Sequence, residues 1–144
     1  MQGFSGLKAL HLECNAISVI ENLQHMNELR SLHLSKNMIK DLKGLESLTH
    51  LQYLDISDNY ICSLEPVACL TELRSLNASH NKVQDKAGLV WLQQCLKLET
   101  LDLANNHIQD QEALQLLLKL PILLLRLVGN PIVSQTQYET SGAV

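Results

Sequence analysis

Aromatic side chains are scarce in this sequence, at 3% of 144 residues, with one Trp, one Phe and three Tyr. Its core must therefore be built from aliphatic side chains, and a 46% hydrophobic content, chiefly leucine, supplies enough of them to exclude a disordered chain. Glycines are few, and Gly88, Gly129 and Gly142 stand isolated, so no glycine-rich loop is present to cradle a phosphate. No lysine- or arginine-rich run appears, and the net charge of −4 is spread with both signs interspersed. Direct binding to nucleic acid or to an anionic membrane is disfavoured, because each needs a cluster of cations against successive phosphates. The longest apolar stretch, 114–128, is broken by Lys119, Pro121 and Arg126 and falls short of the roughly 20 residues that span a bilayer. The first ten residues carry no basic region followed by an apolar one, so no secretory leader is predicted and the expected location is cytoplasmic.

Cys14, Cys62, Cys69 and Cys95 stand far apart without a C-x-x-C pair, which encodes neither a zinc knuckle nor a redox couple. Reduced thiols are expected. Asn77-Ala78-Ser79 matches a glycosylation sequon, but it falls inside a strand pattern of a chain with no predicted secretory route, and is read as chance.

What the sequence does have is a repeat. The pattern L-x-x-L-x-L-x-x-N-x-I, with Val, Ile or Ala in place of individual leucines and isoleucines, recurs over 7–17, 29–39, 51–61, 73–83, 98–108 and 122–132. Its asparagines are Asn15, Asn37, Asn59, Asn81, Asn106 and Asn130, spaced 22, 22, 22, 25 and 24 residues apart. A fixed period in this range marks a stack of supersecondary units that bury their apolar faces only against one another. Within each unit x-L-x-L-x has the alternation of a short strand with one buried face, and successive strands are expected to form a parallel sheet. The asparagine sits where the strand turns; its amide offers both a donor and acceptors, which is what stranded backbone groups at a buried turn require. The six are expected to form a structural asparagine ladder.

Between the motifs, apolar residues return every third position, as in Ile17, Ile20, Leu23, Met26 and Leu29, and again in Ile39, Leu42, Leu45, Leu48 and Leu51. A period of three fits a 3₁₀-like or irregular wall, whereas an α-helix needs 3.6. Asp85 and Asp110 are placed to cap true helices, predicted around 86–96 and 111–120, with Pro121 ending the second. The expected fold class is thus α/β: a leucine-rich-repeat solenoid, a right-handed β-α superhelix with its short parallel sheet on the concave face. Residues 1–6 would be a lead-in, 7–132 the six repeats, and 133–144 a C-terminal tail or incomplete cap.

Strand positions alternating with the buried leucines point off the concave face in columns. The middle column is His11, His33, Asp55, Asn77, Asp102 and Arg126; one flank is Ala9, Ser31, Tyr53, Ser75, Thr100 and Leu124, and the other is Glu13, Ser35, Ser57, Ser79, Ala104 and Val128. His11, Glu13, His33, Tyr53, Asp55, Asn77, Asp102 and Arg126 are the candidate partner-binding residues, with Tyr53 the lone aromatic anchor. Five steps of about 4.8 Å and strands about 16 Å long give a face on the order of 400 Å², against about 800 Å² for one side of a standard interface. Flanking loops must therefore join in. His11, His33 and Glu13 superficially resemble a metal-ligand set, but the sequence shows no outer shell for one, so solvated histidines are expected. Serines near His33 and Asp55 evoke a hydrolytic triad, yet an open sheet offers no oxyanion hole. No enzyme, metal or cofactor is expected.

The repeat resembles the 22-residue leucine-rich-repeat subclass of the nuclear regulatory subunit of protein phosphatase-1, axonemal dynein light chain and the U2 spliceosomal A-prime protein. Within it, the chain most resembles the leucine-rich-repeat dynein axonemal assembly factors. The likeness rests on Leu7-Lys8-Ala9-Leu10-His11-Leu12-Glu13-Cys14-Asn15, on Leu92-Gln93-Gln94-Cys95-Leu96-Lys97-Leu98 leading into Leu101-Asp102-Leu103, and on Val128-Gly129-Asn130-Pro131-Ile132. In that family Gly-Asn-Pro leads to Tyr-Arg in a closing cap, whereas here Tyr138 is followed by Glu139. The resemblance implies a non-catalytic scaffold for axonemal dynein arm assembly, located in the cytoplasm, cilium, flagellum or basal body, with dynein chains or their chaperones as partners. A phosphatase-regulatory role and a role in ribonucleoprotein assembly through a partner protein are the alternatives.

Overall fold

The structure is a computed structural model that describes residues 5–133; most of the expected lead-in and tail, with Tyr138 and Glu139, lies outside them. Six three-residue strands, β1 (Ala9–His11), β2 (Ser31–His33), β3 (Tyr53–Asp55), β4 (Ser75–Asn77), β5 (Thr100–Asp102) and β6 (Leu124–Arg126), form one sheet in chain order. Every neighbouring pair is parallel. Pairing runs on past the strands, for example from Leu12 N–H to the His33 carbonyl at 2.8 Å and from Cys14 N–H to that of Ser35 at 3.1 Å.

The inward leucines of the central strands, Leu32, Leu54, Leu76 and Leu101, are buried. Behind them the convex wall explains the period of three: Met26 donates its N–H to the Leu23 carbonyl, Leu45 to Leu42, Leu48 to Leu45, and Val67 to Leu64. Each such turn returns an apolar side chain to the core while the two residues between stay toward the outside. The wall of the third coil includes a 3₁₀ turn at Glu65–Cys69 with Pro66 near its start.

The expected helix around 86–96 is a hybrid. Only Lys86–Leu89, here α1, is α-helical, and the chain continues as 3₁₀ over Val90–Gln94. Gly88 lies so close to the backbone of Cys62 that a Cβ there would collide with the Cys62 carbonyl oxygen. The wall is thus pressed against the preceding coil and follows its tighter geometry. Asp85 caps α1 by accepting from Gly88 N–H, and Asp110 caps α2 (Gln111–Leu118) by accepting from Glu112 N–H. No helix among the described residues is long and apolar enough to cross a membrane.

Candidate protein-binding face

Register decides which side chains meet on the outer sheet face. His11, His33, Asp55, Asn77, Asp102 and Arg126 are direct Cα partners along successive strands, and so are Ala9, Ser31, Tyr53, Ser75, Thr100 and Leu124. Seven of the eight candidate residues therefore share these two columns, and Glu13, two residues beyond β1, joins them through His11 and His33. At its N-terminal end the His11 and His33 rings stack with centroids 3.9 Å apart and planes within 8°, and the Tyr53 ring leans on His33 at 4.9 Å. Glu13 reaches both histidines, at 2.9 Å from His11 Nδ1 and 3.8 Å from His33 Nδ1. The His11 hydrogen bond, first among the causes, holds the Glu13 carboxyl below its ordinary range. Burial pushes the Tyr53 hydroxyl upward, with the neighbouring Asp55 charge adding to it. At the other end Arg126 approaches Asp102 at 3.8 Å, beside the exposed Leu124 and Val128.

Two features of this face are not apparent from the columns alone. Asp55 accepts from the N–H and hydroxyl of Ser57, Asn77 does the same for Ser79, and Asp102 accepts from Ala104 N–H. These three side chains close the turn at the end of their own strands, a local role that short Asx side chains favour. Their recurrence two residues before Ser or Ala is the signal in the sequence. As a consequence Ser57, Ser79 and Ala104 are buried, so the third column does not face outward across the middle of the sheet.

The asparagines lie at the edge of the face. Asn59 Nδ2 donates to the carbonyls of Leu34, Ile56 and Ser57, and its Oδ1 accepts from Ile39 N–H, tying one coil to the one before it. Asn37, Asn81, Asn106 and Asn130 make corresponding bonds to the preceding coil. Asn15, in the first described coil, is exposed and donates to the Glu13 carbonyl within its own coil. Just before each asparagine the backbone turns left-handed: Cys14, Lys36, Asp58, His80 and Asn105 have φ of 55–60°, and Gly129 has φ 82°. Asp, Asn and Gly at three of these six positions were a readable signal for it.

Grooves also run between convex segments, one lined by Lys40, Lys43, Asp41 and Glu46 with Cys62 and Pro66. Glu65 also lines it, and with two lysines against three carboxylates neither charge dominates.

Six parallel strands, stacked by buried asparagines and alternating with short convex turns and helices, define a leucine-rich-repeat fold. The family described as Leucine Rich repeats (2 copies) matches residues 27–69, and that described as Leucine Rich repeat matches 94–111. Human dynein axonemal assembly factor 1 is 47% identical over 45 residues, 31% of this chain and 6% of that protein. Among solved structures, internalin C2 of Listeria monocytogenes is similar at 30% identity and a TM-score of 0.78, over 88% of this chain and 54% of that one. The internalin InlF of the same organism is similar at 31% identity and a TM-score of 0.72, over 79% and 33% respectively. The chain thus spans about half of internalin C2 and a small part of the human relative.

Proposed function

We propose that this chain is a non-catalytic protein-interaction scaffold that grips its partner with the outer sheet face. The observation that carries the reading is the Tyr53–His33–His11 ring stack, half-buried at Tyr53 and His33 and continuous with the polar column beside it. Rings already held against one another lose little side-chain freedom on binding, which is what an interface anchor needs. The open, shallow sheet suits a protein surface better than a small molecule.

For the particular process, the reading is assembly of axonemal dynein arms, in the cytoplasm or at the cilium or flagellum, with dynein chains or their chaperones as partners. It is supported by the segment shared with dynein axonemal assembly factor 1. The test is affinity capture from ciliated-cell lysate on the wild-type chain and on a Tyr53→Ala/Asp55→Asn variant. Asn is chosen because Asn77 makes the same turn bonds in the next coil, so the change removes a charge and leaves the turn closed. Dynein chains or chaperones lost on the variant are the expected result. Phosphatase or spliceosomal proteins in their place would overturn the ciliary assignment, and equal capture on both baits would move the binding surface elsewhere.

A further inference from the structure

The ring stack holds a second arrangement that its packing does not require. We infer that His11, Glu13 and His33 form a three-ligand site for a divalent ion of borderline softness, with Zn²⁺ the natural occupant. One donor atom from each residue lies within 4.8 Å of the other two. Bonds of about 2.0–2.2 Å to one tetrahedral ion would place these donors roughly 3.4 Å apart. Stacked rings direct their lone pairs side by side, so the exposed His11 ring must turn out of the stack to meet the ion. His11 and Glu13 are free to move, with side chains 61% and 36% exposed, while His33 is the fixed member at 20%.

His33 is fixed in the way a ligating histidine is. Its Nε2 lies 2.9 Å from Ser31 Oγ, and its ring rests on Tyr53. With the Ser31 oxygen accepting from Nε2–H, the Nδ1 lone pair is left facing Glu13, which is the outer-shell contact that sets a ligand's tautomer and direction. This contact is made within β2, between its first and last residues, which share a face of the strand. A His11–Glu13 hydrogen bond would be satisfied without His33, whose Nδ1 stands 3.8 Å from the same carboxylate oxygen, too far to bond it. A cation among the three donors would contact all of them. Two imidazoles and a carboxylate are a borderline donor set, and the partly exposed site leaves coordination positions for water.

The exposed thiol of Cys14, adjacent to Glu13, is the rival ligand. The test is a calorimetric Zn²⁺ titration of the full chain, untagged and stripped of metal, supported by the visible absorption of added Co²⁺. One ion per chain is expected. His33→Ala and Glu13→Gln should weaken binding at least tenfold, Ser31→Ala by about 10–100-fold through loss of the orienting contact, and Cys14→Ser should leave it unchanged. Imidazole ¹⁵N resonances read the wild type directly: those of His11 and His33 should shift with one equivalent of Zn²⁺ while His25, His50, His80 and His107 stay put. Uniform shifts of all six histidines, unchanged affinity in His33→Ala and Glu13→Gln, or binding lost in Cys14→Ser would each overturn the site.

Discussion

Asn59 concentrates in one side chain what holds neighbouring coils together. Removing its amide leaves the Ile39 N–H without its acceptor in the core and takes one of two donors from each of three carbonyls, so Asn59→Ala is expected to cost about 1–3 kcal/mol. Asn15→Ala, at an exposed site, should stay within about 0.5 kcal/mol. Urea unfolding of both variants checks the contrast, and equal losses would contradict it. The left-handed positions give a gain instead. A non-glycine residue there is strained by roughly 1–2 kcal/mol, partly offset in glycine by its greater unfolded-state freedom. Lys36→Gly, at φ 56°, should therefore raise stability by a few tenths to about 1 kcal/mol, and a fall in the urea midpoint would refute this. Cys95 is buried against the Val67 carbonyl, and burial pushes its thiol up to about 11. Iodoacetamide near neutral pH should label exposed Cys14, Cys62 and Cys69 and spare Cys95 until the chain unfolds, because the thiolate is the reacting species. Labelling of Cys95 at the rate of the others would show that the wall over it opens readily.

At the scale of elements, the strands and the convex turns were legible because each has its own period. Leu10, Leu32, Leu54, Leu76, Leu101 and Leu125 mark the strands at a fixed offset from each asparagine. The three-residue spacing of Leu42, Leu45 and Leu48 is the spacing of the hydrogen bonds that build the wall. The helical coils were legible only in part. Asp110 foretold the start of α2, and Asp110→Ala should cost about 1 kcal/mol. The switch from α to 3₁₀ after Leu89 depends on how Gly88 meets Cys62 in the preceding coil, a tertiary contact with no local signal. The same limit applies to the face: the alternation identified which residues share it, but not that Asp55 and Asn77 are also turn-closing acceptors, nor that His33 is oriented by Ser31.

For the whole molecule, stability in a stack of this kind comes from contacts between neighbouring coils, so the ends are expected to open before the middle. Leu54 and Leu76 are buried, whereas Leu10 and Leu125 in the outermost strands are only partly so. Hydrogen exchange should accordingly be slower across β3 and β4 than across β1 and β6. All six coils contribute to the outer sheet face in register, and on it rests the proposal of a protein-binding scaffold. Its most direct test is photocrosslinking with a captured partner protein, placing p-benzoylphenylalanine in turn at position 53, in the ring stack, and at position 46, on the exposed convex wall. A covalent adduct from position 53 and none from position 46 is the predicted result; an adduct from position 46 alone would contradict it.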